Sequence, residues 1–176
     1  GAEPRQRPAA RAVRLDPRDP QARVLPARAR IGRGRFAEAL AATNGQDGRA
    51  VRVQRAIARY RLGQHREARA ELERTAQEGR MPADAAVWYG LVDVASGRAA
   101  RALPLLERLA AAPSPPPLAH VALGRAYEAL ARAEDAEQAY RAGMEREATE
   151  LEPAVALGLF LLSRGRAADA VPPLER

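Results

Sequence analysis

The chain has 176 residues, 29 basic against 22 acidic ones for a net charge of +7, and no cysteine. The missing thiol excludes disulfides, thiolate metal sites and cysteine nucleophiles, and it leaves cytoplasm and periplasm equally open. Every basic residue is arginine, which excludes lysine Schiff bases and Walker-type phosphate loops and points to a GC-rich bacterial source.

Aromatics are only 4% of the chain, and Ala, Arg, Leu and Glu dominate, so propensity favours helix outside the Gly and Pro punctuation. Gly1 is not a start-codon product and reads as a tag scar, followed by poor helix sequence with Pro4 and Pro8. Helix pairs are then predicted over 21–32 with 36–43, 50–61 with 65–77, 84–95 with 99–111, 118–130 with 133–147, and 152–163 with 167–175. Asn44-Gly-Gln-Asp-Gly48 is turn chemistry. In Pro113-Ser-Pro-Pro-Pro117 the first proline is expected to end a helix and the last to open the next; a polyproline ligand is the alternative reading. Val155-Ala-Leu-Gly-Leu-Phe-Leu-Leu162 is the most apolar stretch and far too short to span a bilayer. The chain stops partway through a second helix at Val171-Pro-Pro-Leu-Glu-Arg176. A further repeat of a longer parent, or another copy through self-association, is expected to cover this last repeat.

The pairs repeat. Small residues recur every 34 positions at Ala56, Gly90, Gly124 and Gly158; at Gly63, Gly97, Ala131 and Gly165; and at Ala68, Ala102, Ala136 and Ala170. An earlier copy, Ala27, Gly34 and Ala39, keeps the internal spacing but is displaced by 29. Antiparallel helices approach closely only where side chains are tiny, and a turn glycine accepts the left-handed backbone that ends the first helix. Each unit therefore reads as a helical hairpin in a solenoid. The fourth copy, Leu123-Gly124-Arg-Ala-Tyr127-Glu-Ala-Leu130-Ala131 continuing to Ala136 and Tyr140, resembles the tetratricopeptide repeat, with one Gly-to-Ala change. In the first two copies Pro26, Arg30, Arg55 and Arg59 stand where that family places buried apolar residues. The resemblance implies an all-α, right-handed α-solenoid of about five hairpins plus a partial N-terminal helix. Its expected limits are a tail or cap over 1–19 and repeats at 20–48, 49–82, 83–116, 117–150 and 151–176, forming one elongated domain.

No catalytic residue emerges. His65 and His120 lie on different repeats without a partner at metal-ligand spacing, and none of Ser96, Ser114 and Ser163 sits in a nucleophile elbow. Glu134 and Asp135 are explained by the start of a helix, where carboxylates meet the dipole favourably. No cofactor or metal is expected. Arginines are interleaved with Glu and Ala over every repeat, which suits a solvated helix surface better than a nucleic-acid site.

The resemblance implies a concave surface lined by the first helices. Val24, Val53, Val87, Val121 and Val155 occupy one equivalent position, with Ile57 and Tyr60, Leu91 and Val94, and Leu159 and Leu162 farther along. Two readings stay open: an apolar groove that accepts a helix or extended peptide, or rotated helices with the valines in the core. The candidate groove comprises Val87, Leu91, Val94, Val121, Arg125, Glu128, Val155, Leu159 and Leu162, with Arg125 and Glu128 as polar register marks. Clamping of acidic chaperone tails is rejected, because that subgroup of the family uses lysine and asparagine, and the only asparagine here is Asn44 in a loop. The expected function is a non-enzymatic adaptor for protein or peptide. The alternatives are the regulatory region of a larger enzyme of glycosyl- or sulfotransferase type, or a basic binder of nucleic acid or an anionic surface.

Overall fold

A computed structural model describes residues 20–146 and 151–175, with side chains described from residue 24. Segment 1–19, expected as a tail or cap, lies outside the described residues, as does the end of the fourth repeat at 147–150. The described residues are all-helical: α1 Pro20–Ile31, α2 Phe36–Ala41, α3 Arg49–Arg61, α4 His65–Gln77, α5 Ala83–Ala95, α6 Ala99–Ala110, α7 Ala119–Ala129, α8 Ala133–Arg146, α9 Leu151–Ser163 and α10 Ala167–Leu174. These are the five predicted pairs, with ends shifted by two residues at most, and they form the helical hairpins of an α-solenoid.

One device closes each hairpin. Gly34, Gly63, Gly97 and Gly165 have φ of 71°, 75°, 74° and 73°, and Ala131 takes the same place at 58°. At each, the residue after the left-handed position donates its amide to a carbonyl five residues back. Examples are Gln64 to Arg59 at 2.8 Å, Arg98 to Asp93 at 2.8 Å and Arg132 to Tyr127 at 2.9 Å. This is the Schellman ending of a helix, which satisfies carbonyls that the helix leaves open. The other series of small residues marks close approach. A methyl group on Gly90, Gly124 or Gly158 would lie 2.5 Å from Leu106, Tyr140 or Leu174 respectively. In each case the contact lies sixteen residues on, so one register governs the hairpins.

The proline-rich turn departs from expectation. Pro117 does not open a helix: α7 starts at Ala119, after Leu118 in the left-handed conformation at φ 65°. The Ala119 amide donates to the Pro116 carbonyl at 3.1 Å, closing a turn that breaks helical continuity after the prolines.

The chain divides into two compact units, 1–81 and 82–176. In the first, α1, α2 and α3 pack mutually and α4 pairs with α3. Its small core of Ala27, Ala39 and Ala58 is flanked by Ile31, Phe36 and Leu40. In the second, α5, α7 and α9 are successive neighbours, each paired with its own second helix. Val121, Ala136, Tyr140, Leu157, Phe160, Leu161 and Ala170 form a core there that joins the fourth and fifth hairpins. The Tyr140 and Phe160 rings meet with centroids 5.6 Å apart, a favourable aromatic separation.

Candidate functional site

The candidate groove residues of 82–176 fall into three environments. Val87, Leu91 and Val121 are buried at 0%, 2% and 2% exposure. Val94, Arg125 and Glu128 are half-buried. Val155, Leu159 and Leu162 are exposed, and Leu151 joins them on the same side of α9, so spacings of four, four and three build one apolar stripe. The valine position repeats this pattern along the chain, since Val24, Val53, Val87 and Val121 are buried whereas Val155 is 44% exposed. Val121 shows what normally occupies that place, because it packs in the core with Leu157, Phe160 and Leu161 of the next first helix.

The polar residues are anchored from below. Glu128 accepts a hydrogen bond from the Tyr140 hydroxyl at 2.7 Å, which ties its carboxylate to the second helix of its own hairpin. The neighbouring Tyr127 hydroxyl donates to Glu107 at 2.9 Å, while the Arg132 guanidinium lies 4.4 Å from its ring centroid. Burial, followed by the bond to Glu107, pushes the Tyr127 phenol above its ordinary pKa. On α8 of the fourth hairpin, Glu137 accepts from Arg141 at 2.7 Å and from Arg166 of the fifth hairpin at 2.6 Å, and these bonds hold its carboxyl below the usual range.

Sequence reasoning missed an ion-pair core in 1–81. Arg55 donates to both Glu71 oxygens at 3.0 and 3.1 Å, and Arg59 approaches the same carboxylate at 3.5 Å. Glu71 is only 6% exposed. Buried Arg52 bonds Asp47 at 2.5 Å and also pairs with Glu78. Asp47 is held below its ordinary range first by the Gly48 amide and then by these guanidinium groups. The arginines that replace apolar residues in the second repeat thus meet a carboxylate supplied by its second helix. A register signal was available: Arg55 and Glu71 are sixteen apart, the spacing that also relates Gly124 to Tyr140.

Comparison with known proteins agrees with this architecture. A family model described as tetratricopeptide repeat matches residues 53–114 and 90–148. No curated protein matches the chain in sequence. Among solved structures, MamA (residues 41 to the end) from Desulfovibrio magneticus RS-1 is 19% identical, with 95% of this chain and 91% of that chain covered at a TM-score of 0.58. YrrB, described as a TPR protein with an unusual peptide-binding site, is 16% identical over 96% and 90% of the two chains at 0.55. A tetratricopeptide repeat protein from Parabacteroides merdae ATCC 43184 is 15% identical over 95% and 68% at 0.64. These likenesses bear on the fold alone. With more than half of its residues under the family model, the chain belongs to the tetratricopeptide repeat family.

Proposed function

We propose that this protein is a non-enzymatic interaction module that takes a partner helix or extended peptide on the first-helix face of residues 82–176. The observation that carries the reading is the stripe on α9: Leu151, Val155, Leu159 and Leu162 are 68%, 44%, 59% and 45% exposed, all on one side of a 13-residue helix. Large aliphatic side chains presented contiguously to water mark an interaction surface, whereas scattered ones do not. A partner supplying apolar residues three and four apart would bury the stripe. Val94 on α5 and Arg125 and Glu128 on α7 are half-buried and would extend the contact along the first helices, with buried Val87, Leu91 and Val121 as the layer beneath. The peptide-binding role stated for YrrB, which shares the fold, supports the same class of function. Many of the arginines are locally neutralised, as in Arg98 with Asp93, Arg132 with Asp135 and Arg141 with Glu137, which favours a protein partner over a polyanion.

The test is selection from a displayed peptide library against the intact chain and against Leu159→Glu. Because Leu159 is exposed, the substitution should change stability by no more than about 0.5 kcal/mol. Expected are binders with apolar anchors at helical spacing, retained in high salt and lost on Leu159→Glu. Binders that ignore Leu159→Glu, or that dissociate steeply with salt, would overturn the proposal.

A further inference from the structure

The repeat supplies its own reference for a cleft in the fifth hairpin. In the fourth hairpin Tyr127 lies between α6 and the start of α8, with its hydroxyl on Glu107 and its ring against Arg132, which in turn bonds Asp135 at 2.7 Å. Thirty-four residues on, these four positions are Leu161, Arg141, Arg166 and Asp169. The Arg166 bond to Asp169 is reproduced at 2.7 Å, so the guanidinium is held in the way that lets Arg132 cover a ring. Leucine is shorter than tyrosine, however, and a cleft of about 610 Å³ opens among α8, α9 and α10. That volume falls within the roughly 300–1,000 Å³ typical of ligand sites. Leu157 and Leu161 lie beneath it in the core, each 1% exposed, its walls are Met144 and Pro172, and Arg141 and Arg166 stand on its rim.

We propose that this cleft is a recognition pocket for an aromatic side chain, tyrosine by preference, presented by a partner polypeptide. The ring would lie over the position that Tyr127 fills in the hairpin before, between Met144 and Pro172 with the Arg166 guanidinium at its face. The preference for tyrosine comes from Arg141, which puts a donor where Glu107 puts an acceptor, and a phenol oxygen can accept a hydrogen bond as well as donate one. Both arginines share Glu137, at 2.7 and 2.6 Å, so they are oriented beforehand and little side-chain entropy is lost on binding. Their charge is offset by Glu137 and Asp169, which suits a neutral ring better than an anionic one. The pocket is separate from the stripe on α9, because Leu157 and Leu161 flank Leu159 in sequence and point to the opposite side of the helix.

The probe is N-acetyl-tyrosinamide, titrated into the intact chain with methyl groups observed by NMR, and N-acetyl-leucinamide is the comparison. Saturable shifts at Met144, Leu157 and Leu161 are expected in the millimolar range, with the leucine compound weaker by about threefold or more. Leu161→Tyr should fill the cleft from within and abolish binding. Ala168→Trp should block its mouth from an exposed position and so carries the test if Leu161→Tyr fails to fold. Leu159→Glu should leave this binding unchanged, which separates the outcome from that of the α9 stripe. Absence of saturation, equal binding of the two amides, or undiminished binding by folded Ala168→Trp would overturn the proposal.

Discussion

Replacing Glu71 with alanine tests whether the second hairpin is held by an ion pair where its neighbours use apolar contact. Glu71 is 6% exposed, and it receives two bonds from Arg55 and a longer approach from Arg59. Each charge-assisted bond contributes about 1.5–3 kcal/mol. Arg55 would keep the Gln46 carbonyl at 3.0 Å and Asp47 at 4.0 Å, which offsets part of the loss. The net destabilisation should be about 3–5 kcal/mol, the range for removing one partner of a buried pair. Removing both charges should behave differently. Arg55→Leu with Glu71→Leu recreates the leucines found at Leu123 and Leu105, 68 and 34 residues on, and is expected to be neutral or stabilising by about 1–4 kcal/mol. Urea denaturation followed by circular dichroism, on the single and double variants, gives the coupling directly. A loss below about 1 kcal/mol for Glu71→Ala would refute the reasoning, because that is the behaviour of a solvated surface pair.

Other consequences are equally direct. Ala131 holds the left-handed turn at φ 58° where the other hairpins have glycine, so Ala131→Gly should stabilise by about 1 kcal/mol in the same denaturation assay. Gly124→Ala would set a methyl 2.5 Å from the Tyr140 ring, which already bonds Glu128 and packs on Phe160; a loss of about 1–3 kcal/mol is expected. Glu137 is held below its ordinary pKa by Arg141 and then Arg166, so its contribution is complete above the unfolded value of about 4.3 and is lost as pH falls through the folded one. Glu137→Gln should therefore melt lower than the parent at pH 7, and the gap should narrow as pH falls below the unfolded value of about 4.3.

The hairpins were legible because backbone chemistry and sequence coincide at each turn: a glycine stands at the left-handed position of four hairpins and an alanine five residues later faces the first helix. The inward or outward direction of the valines was not legible. A valine every 34 residues satisfies a core and a groove equally, and the distinction depends on which neighbour covers it. Val121 is covered by Leu157, Phe160 and Leu161, whereas Val155 occupies the same position with its side chain 44% exposed. Arg55 and Arg59 were misleading for a related reason. An arginine at an apolar position signals exposure until its partner is found, and the partner, Glu71, is sixteen residues from Arg55 and twelve from Arg59 on another helix.

One position explains how a single scaffold acquires different local chemistry. Arg59, Asp93, Tyr127 and Leu161 are successive occupants of the same place, each beginning the Schellman closure of its hairpin. The backbone bond is indifferent to the side chain, so the side chain is free to vary. Arg59 turns to Glu71, Asp93 to Arg98 at 2.9 Å, and Tyr127 to Glu107 and Arg132. Each of these three is satisfied by a partner within the chain. Leu161 can form neither ion pair nor hydrogen bond, while the arginine five residues on is retained and held by Glu137 and Asp169. With Leu161 in the place of Tyr127 and Arg141 in that of Glu107, the same repeated frame carries an outward-facing cleft instead of an internal contact. A scaffold whose folding is secured by its turns can in this way gain a binding site without altering its architecture.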